Sequence, residues 1–384
     1  MTIREHYDVI IVGAGPVGLF LGLRLMQLGV SFIILEKRAA LHSHSRSIGI
    51  HPPSLELFDE IGLSEQFLNK GTCIRKGKAF RDASHCIGTL DFDLCPKPFT
   101  YVLTLPQYHT EQILQEALLE KAPDCIRRGL EITSFRQSEH QVEIKYLQGP
   151  KKYNLTSSYL IGCDGKNSII RERSDIPFEG GKYPYRYAMG DFEDNTKFES
   201  NAVVYIGNSG LVESFPLSGN IRRWVAELPK DVHDCSLPQF CEIILRRTNF
   251  ELNKSTVTMF SNFDGEHYLA GKFNLGRILL IGDSAHVVSP IGGQGMNLGW
   301  MGAWHLGEAL QNTLKQKYSS GRFLSNWEKR HRKKATKAIK RAEFNMALGQ
   351  KSKWPELRSY IVKYLLKFPL NNLIVRRFTM RGLN

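Results

Sequence analysis

Three glycines and one carboxylate carry the first readable chemistry of this chain. Gly13, Gly15 and Gly18 stand in GxGxxG spacing directly after the β-branched run Tyr7 to Val12, and Glu36 closes SFIILE 18 residues after Gly18. Glycine suits such a turn because the chain bends sharply, its backbone approaches a pyrophosphate, and the next helix packs close to the strand. The helix start presents free N–H groups and a positive dipole end to phosphate. A carboxylate ending the second strand takes adenosine ribose hydroxyls. In this order these features predict a dinucleotide cradle; the alternative is a glycine turn that holds no ligand.

A second set lies about 260 residues further on. RILLIGD is an apolar strand ending at Asp283, and SPIGGQGMN then sets Pro290, Gly293, Gly295, Met296 and Asn297 at the start of a long helical pattern. A turn poor in side chains lets backbone N–H groups reach a ligand, and a helix start stabilises negative charge there.

The elements that must position these residues follow from pattern. After Glu36 come the polar loop LHSHSRSIGIHPPS, a capped helix SLELFDEIGL ended by Gly62, and a helix over Tyr108 to Lys121 beginning beside Gln107. His42, His44 and His51 are irregularly spaced with no acidic partner, so they read as solvated or backbone-bonded, and no metal is expected. Strands are predicted at Glu131 to Phe135, Val142 to Leu147 and Tyr159 to Cys163, the last closed by Asp164 and Gly165. From about 176 to 268 the texture becomes alternating strands (VVYIG, LVESFPL, RRWVAEL), which predicts an antiparallel sheet joined by residues near 73 to 100. Tyr183, Tyr185 and Tyr187 share one strand face, fitting either a substrate cavity or an aromatic core. Trp300 and Trp304 share a helix face and read as core.

The 384 residues suggest two or three domains, and 42% hydrophobic content is that of a soluble globular protein. The first apolar run is the nucleotide-binding strand itself, so no secretory signal is read, and Arg24 interrupts the nearest candidate span. Seven scattered cysteines without a CxxC pair point to reduced thiols in a cytoplasm. The net charge of +13 is uneven: from Lys315 onward stand 19 Lys and Arg against three acids, leaving 32 against 35 elsewhere.

Three motifs together resemble the class A, single-component FAD-dependent monooxygenases, the family of p-hydroxybenzoate hydroxylase. They are VIIVGAGPVGLFLGLRLMQLG, YLIGCDGKNSIIRE and RILLIGDSAHVVSPIGGQGMNLG. The resemblance implies an α/β fold: a Rossmann-like FAD-binding domain, an inserted, mostly antiparallel β-sheet substrate domain, and a helical C-terminus. It implies that Glu36, Lys37, Arg46 and Gln107 contact FAD with the three glycines. Asp164 and Gly165 would serve the pyrophosphate region and NADH or NADPH docking. Asp283 would bond the ribityl hydroxyls, and the turn from Pro290 to Asn297 would reach the flavin ring, leaving room for dioxygen. The expected division is 1–72, 101–175 and 271–345 for FAD, 73–100 and 176–270 for substrate, and a basic amphipathic tail over 346–384. Ser284 departs from the alanine common in the family, and Gly302 from an acid within the following helix. The sequence ends without the thioredoxin-like domain of larger relatives and in this resembles the compact branch.

The implied reaction is hydroxylation of an aromatic, quinol-like or polyketide-like small molecule through a flavin hydroperoxide, with NAD(P)H visiting transiently. No catalytic base is nominated, and His286 reads as structural. A geranylgeranyl-type reductase, a flavin-dependent halogenase and a low-turnover, membrane-docked flavin-binding protein remain alternatives, although WMGAW lacks the WxWxIP pattern of tryptophan halogenases. In the tail, KRHRKKATKAIKR and then Ile361, Val362, Leu365, Leu366, Phe368 and Leu373 among Lys and Arg fit two readings. One is a helix lying on an anionic membrane surface, peripheral to the cytoplasm. The other is helices capping the FAD domain. Nucleic acid is not expected, since nothing else resembles a binding module.

Overall fold

The β-branched run forms the strand His6–Val12, and Gly15 leads into the helix Pro16–Gln27, whose first position is filled by a proline with no N–H to lose. A computed structural model describes residues 6–41, 47–316, 320–350, 353–367 and 369–383. His6–Val12 lies between two parallel neighbours, Phe32–Glu36 and Lys151–Gly162, with Ile126–Arg128 and Ile278–Leu280 pairing outside them. Helices cover this sheet, so its centre is a continuous apolar run in which Val9, Ile10, Ile11, Ile34, Leu160, Ile161 and Leu279 are buried. Parallel strands deliver their carboxyl ends to one edge. The turns after Val12, Glu36, Gly162 and Leu280 therefore gather at that edge, where ligands bind in open α/β sheets.

A second eight-stranded sheet runs in the order His286–Val287, Met259–Ala270, Phe178–Glu193, Ile221–Glu227, Gly210–Leu217, Ala202–Gly207, Lys76–Asp82, His85–Asp91. Its pairing is antiparallel except where Ala202 to Tyr205 run parallel to Gly77 to Phe80, which is how the segment near 73 to 100 joins it. One face, with Val203, Tyr205, Val212, Trp224 and Ala226, packs against Phe240 and Ile244. The alternate residues point the other way, as the two-residue period of a strand requires.

Several local expectations change. The helix read as starting at Ser54 runs Pro52–Glu60, because Pro52 fits the first turn, and a separate helix Ser64–Lys70 follows it. The strand read as Tyr159 to Cys163 begins at Lys151, since its polar half pairs in a hairpin with Val142–Gln148. The stretch read as strands alone contains the helix Leu237–Thr248, fixed by a Ser236–Gln239 capping box and an Asn249 C-cap at φ 61°. Tyr183, Tyr185 and Tyr187 all join an aromatic and aliphatic core cluster, with Tyr187 stacked on Phe263.

The chain ends in a long helix, Ser320–Leu348, and two shorter ones, Pro355–Leu365 and Leu370–Phe378. Val375 is buried with Ile74, Leu90 and Phe92, and Leu366 packs over Gly88. The tail thus covers the edge of the second sheet, and its last residues, Met380 and Leu383, pack into the FAD-side core, where Arg381 pairs with Glu56 at 2.5 Å; Phe368 lies outside the described residues.

Candidate active site

A cavity of about 1020 Å³ opens where the two sheets meet. Twelve of the fifteen residues expected from sequence line it: Gly13, Gly15, Glu36, Lys37, Gln107, Asp164, Gly165, Asp283, Pro290, Gly293, Gly295 and Met296. Gly18 and Asn297 stand behind this wall, and Arg46 lies outside the described residues.

The glycine turn is built by close approach. Gly13 has φ 106°, and a Cβ on it would lie 2.4 Å from the Cys163 carbonyl oxygen; a Cβ on Gly18 would lie 2.0 Å from the Gly13 carbonyl oxygen. Nothing stands within 4 Å of a Cβ at Gly15, so the middle of the turn is open toward the helix start. Glu36 accepts from the Ala14 N–H at 2.7 Å, from the Arg38 N–H at 2.9 Å and from Arg38 Nε at 3.0 Å. Burial alone would raise this carboxyl, but the N–H donors of Arg38 and Ala14 and the Arg38 guanidinium outweigh it and hold it below its ordinary value. Arg38 was not legible as a site residue; its signal was a cation two residues after the strand-ending acid.

The other two turns carry carboxyls still short of partners. Asp164 accepts from the Ile170 N–H at 3.2 Å through Oδ2, while its buried Oδ1 has no donor among the described residues. Asp283 is exposed on the cavity wall and receives no hydrogen bond among the described residues. Burial raises it to about 6, against the pull of Lys166. Acceptors aimed into an enclosed space fit the hydroxyl-rich ribityl and ribose parts of FAD, and the open Gly15 turn fits its pyrophosphate. The residues present therefore suit this cofactor.

Neighbouring contacts fix the loops. Asn297 accepts from the His51 backbone N–H at 2.8 Å and donates to the carbonyls of Gly49 and Gly293 at 2.8 Å each, so it staples the 47–51 segment to the glycine turn. The His51 ring meets the Gly292 carbonyl at 3.2 Å, and burial lowers the ring to about 4, so it is neutral. His42 and His44 lie outside the described residues. Ser284, the departure from alanine, donates to the Gly162 carbonyl at 2.6 Å and accepts from the Ile281 N–H at 3.2 Å, clamping two of the three turns together. His286 is fully buried, faces His331 rather than the cavity, and lines no part of it.

Beyond the glycine turns the same cavity runs along the second sheet, past Met189, Val204, Ile206, Leu211, Phe215, Val225 and Phe263, and is closed by Val362, Leu365 and Leu366 of the tail. Around Glu213 this wall is apolar, while charged residues stand further along it: Lys78, Asp264 and Glu266 on the sheet, Arg377 on the covering helices, and Arg223, which grips Asp191 at 2.6 and 2.7 Å. Glu213 escaped the sequence reading. Its signal is positional: in LVESFPL it occupies the phase of Leu211 and Phe215.

The family described as FAD binding domain matches residues 6–342. A rifampicin monooxygenase of Streptomyces venezuelae is 27% identical over 97% of this chain and 78% of its own length. A dialkyldecalin synthase of Streptomyces rugosporus is 30% identical over 84% and 69%. The crystal structure of p-nitrophenol 4-monooxygenase from Pseudomonas putida superposes with a TM-score of 0.90 at 20% identity, covering 99% of both chains. Across eight of its curated relatives the chain spans from 50% to 78% of their length. With three turns converging on one cavity and a family match over most of its length, this chain belongs to the FAD-binding-domain family of flavin-dependent monooxygenases, the class A enzymes related to p-hydroxybenzoate hydroxylase.

Proposed function

We propose that this protein is an NAD(P)H-dependent FAD monooxygenase that hydroxylates an aromatic, quinol-like or polyketide-like small molecule. The observation that carries this reading is continuity: the cofactor-side turns and the apolar sheet face line one cavity. FAD, when bound, supplies acceptance of hydride and activation of dioxygen. Asp283, Asp164 and Glu36 would hold its hydroxyls, and the Gly292 N–H with the start of the helix Gln294–Lys315 would face its negative edge, the Gly293 N–H being donated to the Pro290 carbonyl. The sheet face and the tail helices exclude water from the substrate. The likeness to an enzyme named for rifampicin supports a substrate of the polyketide type. In this proposal residues 1–72, 101–175 and 271–345 serve FAD and residues 73–100 and 176–270 serve substrate.

Anaerobic mixing of the holoenzyme with NADH or NADPH, followed by turnover in isotopically labelled dioxygen, tests it. One labelled oxygen atom in the product is expected. An added halogen or two added hydrogens would assign a halogenase or a reductase instead. Flavin that neither nucleotide reduces would sink the redox reading and leave a protein that binds flavin without this turnover.

A second reading, peripheral attachment to an anionic membrane surface, is favoured by the helix Pro355–Leu365. Its inner face closes the cavity, yet its outer face exposes Trp354 (71%), Leu357, Tyr360 (71%), Ile361 and Tyr364 (68%) among Lys353, Lys363 and Lys367. A helix apolar on both sides needs cover on both. Aromatic rings flanked by lysines suit the headgroup boundary of an anionic bilayer. No helix among the described residues is long and apolar enough to cross a membrane. Tyr360→Ser with Tyr364→Ser should abolish pelleting with anionic vesicles at low salt while FAD stays bound. Pelleting that is absent from the start, or untouched by the pair, rejects attachment through this helix.

A further inference from the structure

Glu213 stands in mid-strand, with Val204 and Val225 as its register neighbours on the two flanking strands where the pairing is antiparallel. Those two valines, with Leu211 and Phe215 from its own strand, line the cavity beside it. It is 8% exposed, and among the described residues no N–H or O–H donates to its carboxyl. Arg223, the guanidinium on the next strand, is held by Asp191. Burial, with no opposing contact, raises the Glu213 carboxyl to about 7. A carboxyl on the apolar phase of a strand, unpartnered and facing a cavity, is disfavoured until something in that cavity donates to it.

We propose that Glu213 is the substrate-recognition carboxyl: it accepts a hydrogen bond from a phenolic hydroxyl on an otherwise apolar, uncharged substrate, and it turns away substrates that bear a carboxylate. This rests on the reading that the sheet face holds the substrate. Acceptance follows from the missing donor. Rejection follows from like charge in a space where apolar walls give little screening. The sheet would thus select for a neutral phenol of aromatic or polyketide kind and against aromatic acids.

The test uses oxidised holoenzyme with no reductant, so its outcome is separate from that of the turnover experiment. The probes are 2-naphthol and 2-naphthoate, alike in size, and the readout is the flavin difference spectrum on titration. Wild type should bind 2-naphthol about tenfold or more tightly than 2-naphthoate at about pH 8, and the ratio should shrink toward about pH 6 as the carboxyl protonates. Glu213→Gln should collapse the ratio and remove its pH dependence while retaining FAD. Equal affinities in wild type, no binding of 2-naphthol, or an unchanged ratio in Glu213→Gln would each overturn the proposal. The wild-type pH series decides the matter even if the variant loses its flavin.

Discussion

The imidazole of His331 occupies the space that a side chain at Gly302 would need. A Cβ at Gly302 would lie 2.3 Å from His331 Cε1 and 2.4 Å from Nε2. His331 stacks on Trp327, whose indole N–H donates to the Gly302 carbonyl at 3.0 Å. The glycine that departs from the family's acid is therefore matched by a histidine on the neighbouring long helix.

Gly302→Ala should destabilise the fold by roughly 1 to 3 kcal/mol, the range for overpacking a filled site. Combined with His331→Ala it should cost less than the two singles added, because the second change vacates the space the first one invades. Denaturant midpoints of the four proteins measure the coupling; additivity within about 0.5 kcal/mol would mean the two positions do not compete.

His331 also faces His286 at 3.0 Å between Nε2 atoms. Burial lowers His286 from 6.5 to about 4, and burial together with His286 and Lys334 lowers His331 well below its ordinary value. The folded protein then holds fewer protons than the unfolded chain within that window. Stability present above about 6.5 is lost as the pH falls toward 4. His286→Asn should make the acid side of the stability curve shallower. An identical slope in the variant, followed by tryptophan fluorescence, would show the pair to be uncoupled from acid unfolding.

Asp283 gives a prediction of two signs. Its carboxyl is raised from 3.8 to about 6 by burial, so the folded apo-protein holds the proton more tightly and loses stability as the pH rises through that interval. Asp283→Ala should therefore make the apo-protein more stable than wild type at about pH 8 while weakening FAD roughly tenfold or more, a loss of about 1 to 3 kcal/mol for unpaired polar groups. Thermal melts of the apo-proteins and FAD release on dilution check the halves separately. Full FAD occupancy in the variant would place the flavin elsewhere.

The cofactor half of the cavity was legible because its instructions are local. Gly13 and Gly18 are dictated by backbone approach within one turn, and Glu36 by the length of one helix and one strand. The substrate half was not, because which phase of LVESFPL faces the cavity depends on the helix Leu237–Thr248 claiming the other face. The apolar side of the tail was legible, but not what it covers: Val362, Leu365 and Leu366 close the cavity, a contact set by residues far away in sequence. Ser284 bridges to Gly162 across a turn that only the sheet brings near, so nothing beside it in sequence announces that contact, whereas Arg38 acts on Glu36 two residues away.

Arg358 ties the cavity-closing helix to the sheet. Its guanidinium donates to the carbonyls of Ile206 at 2.5 Å and Leu348 at 3.1 Å, and also to that of Gln350. Gln350 in turn donates to both oxygens of Glu227 at 3.1 and 3.2 Å. Arg358→Ala removes the donor for three carbonyls at the hinge of this helix, at a cost on the order of 1 to 3 kcal/mol confined to the closed position. Hydrogen exchange over 355–365 should quicken, while the strand His6–Val12 keeps its protection, because local opening does not require global unfolding. If the reading of a substrate-closing helix holds, release of a bound naphthol should quicken as well. Unchanged exchange over 355–365 would mean that apolar packing of Leu365 and Leu366 holds the helix shut without its arginine.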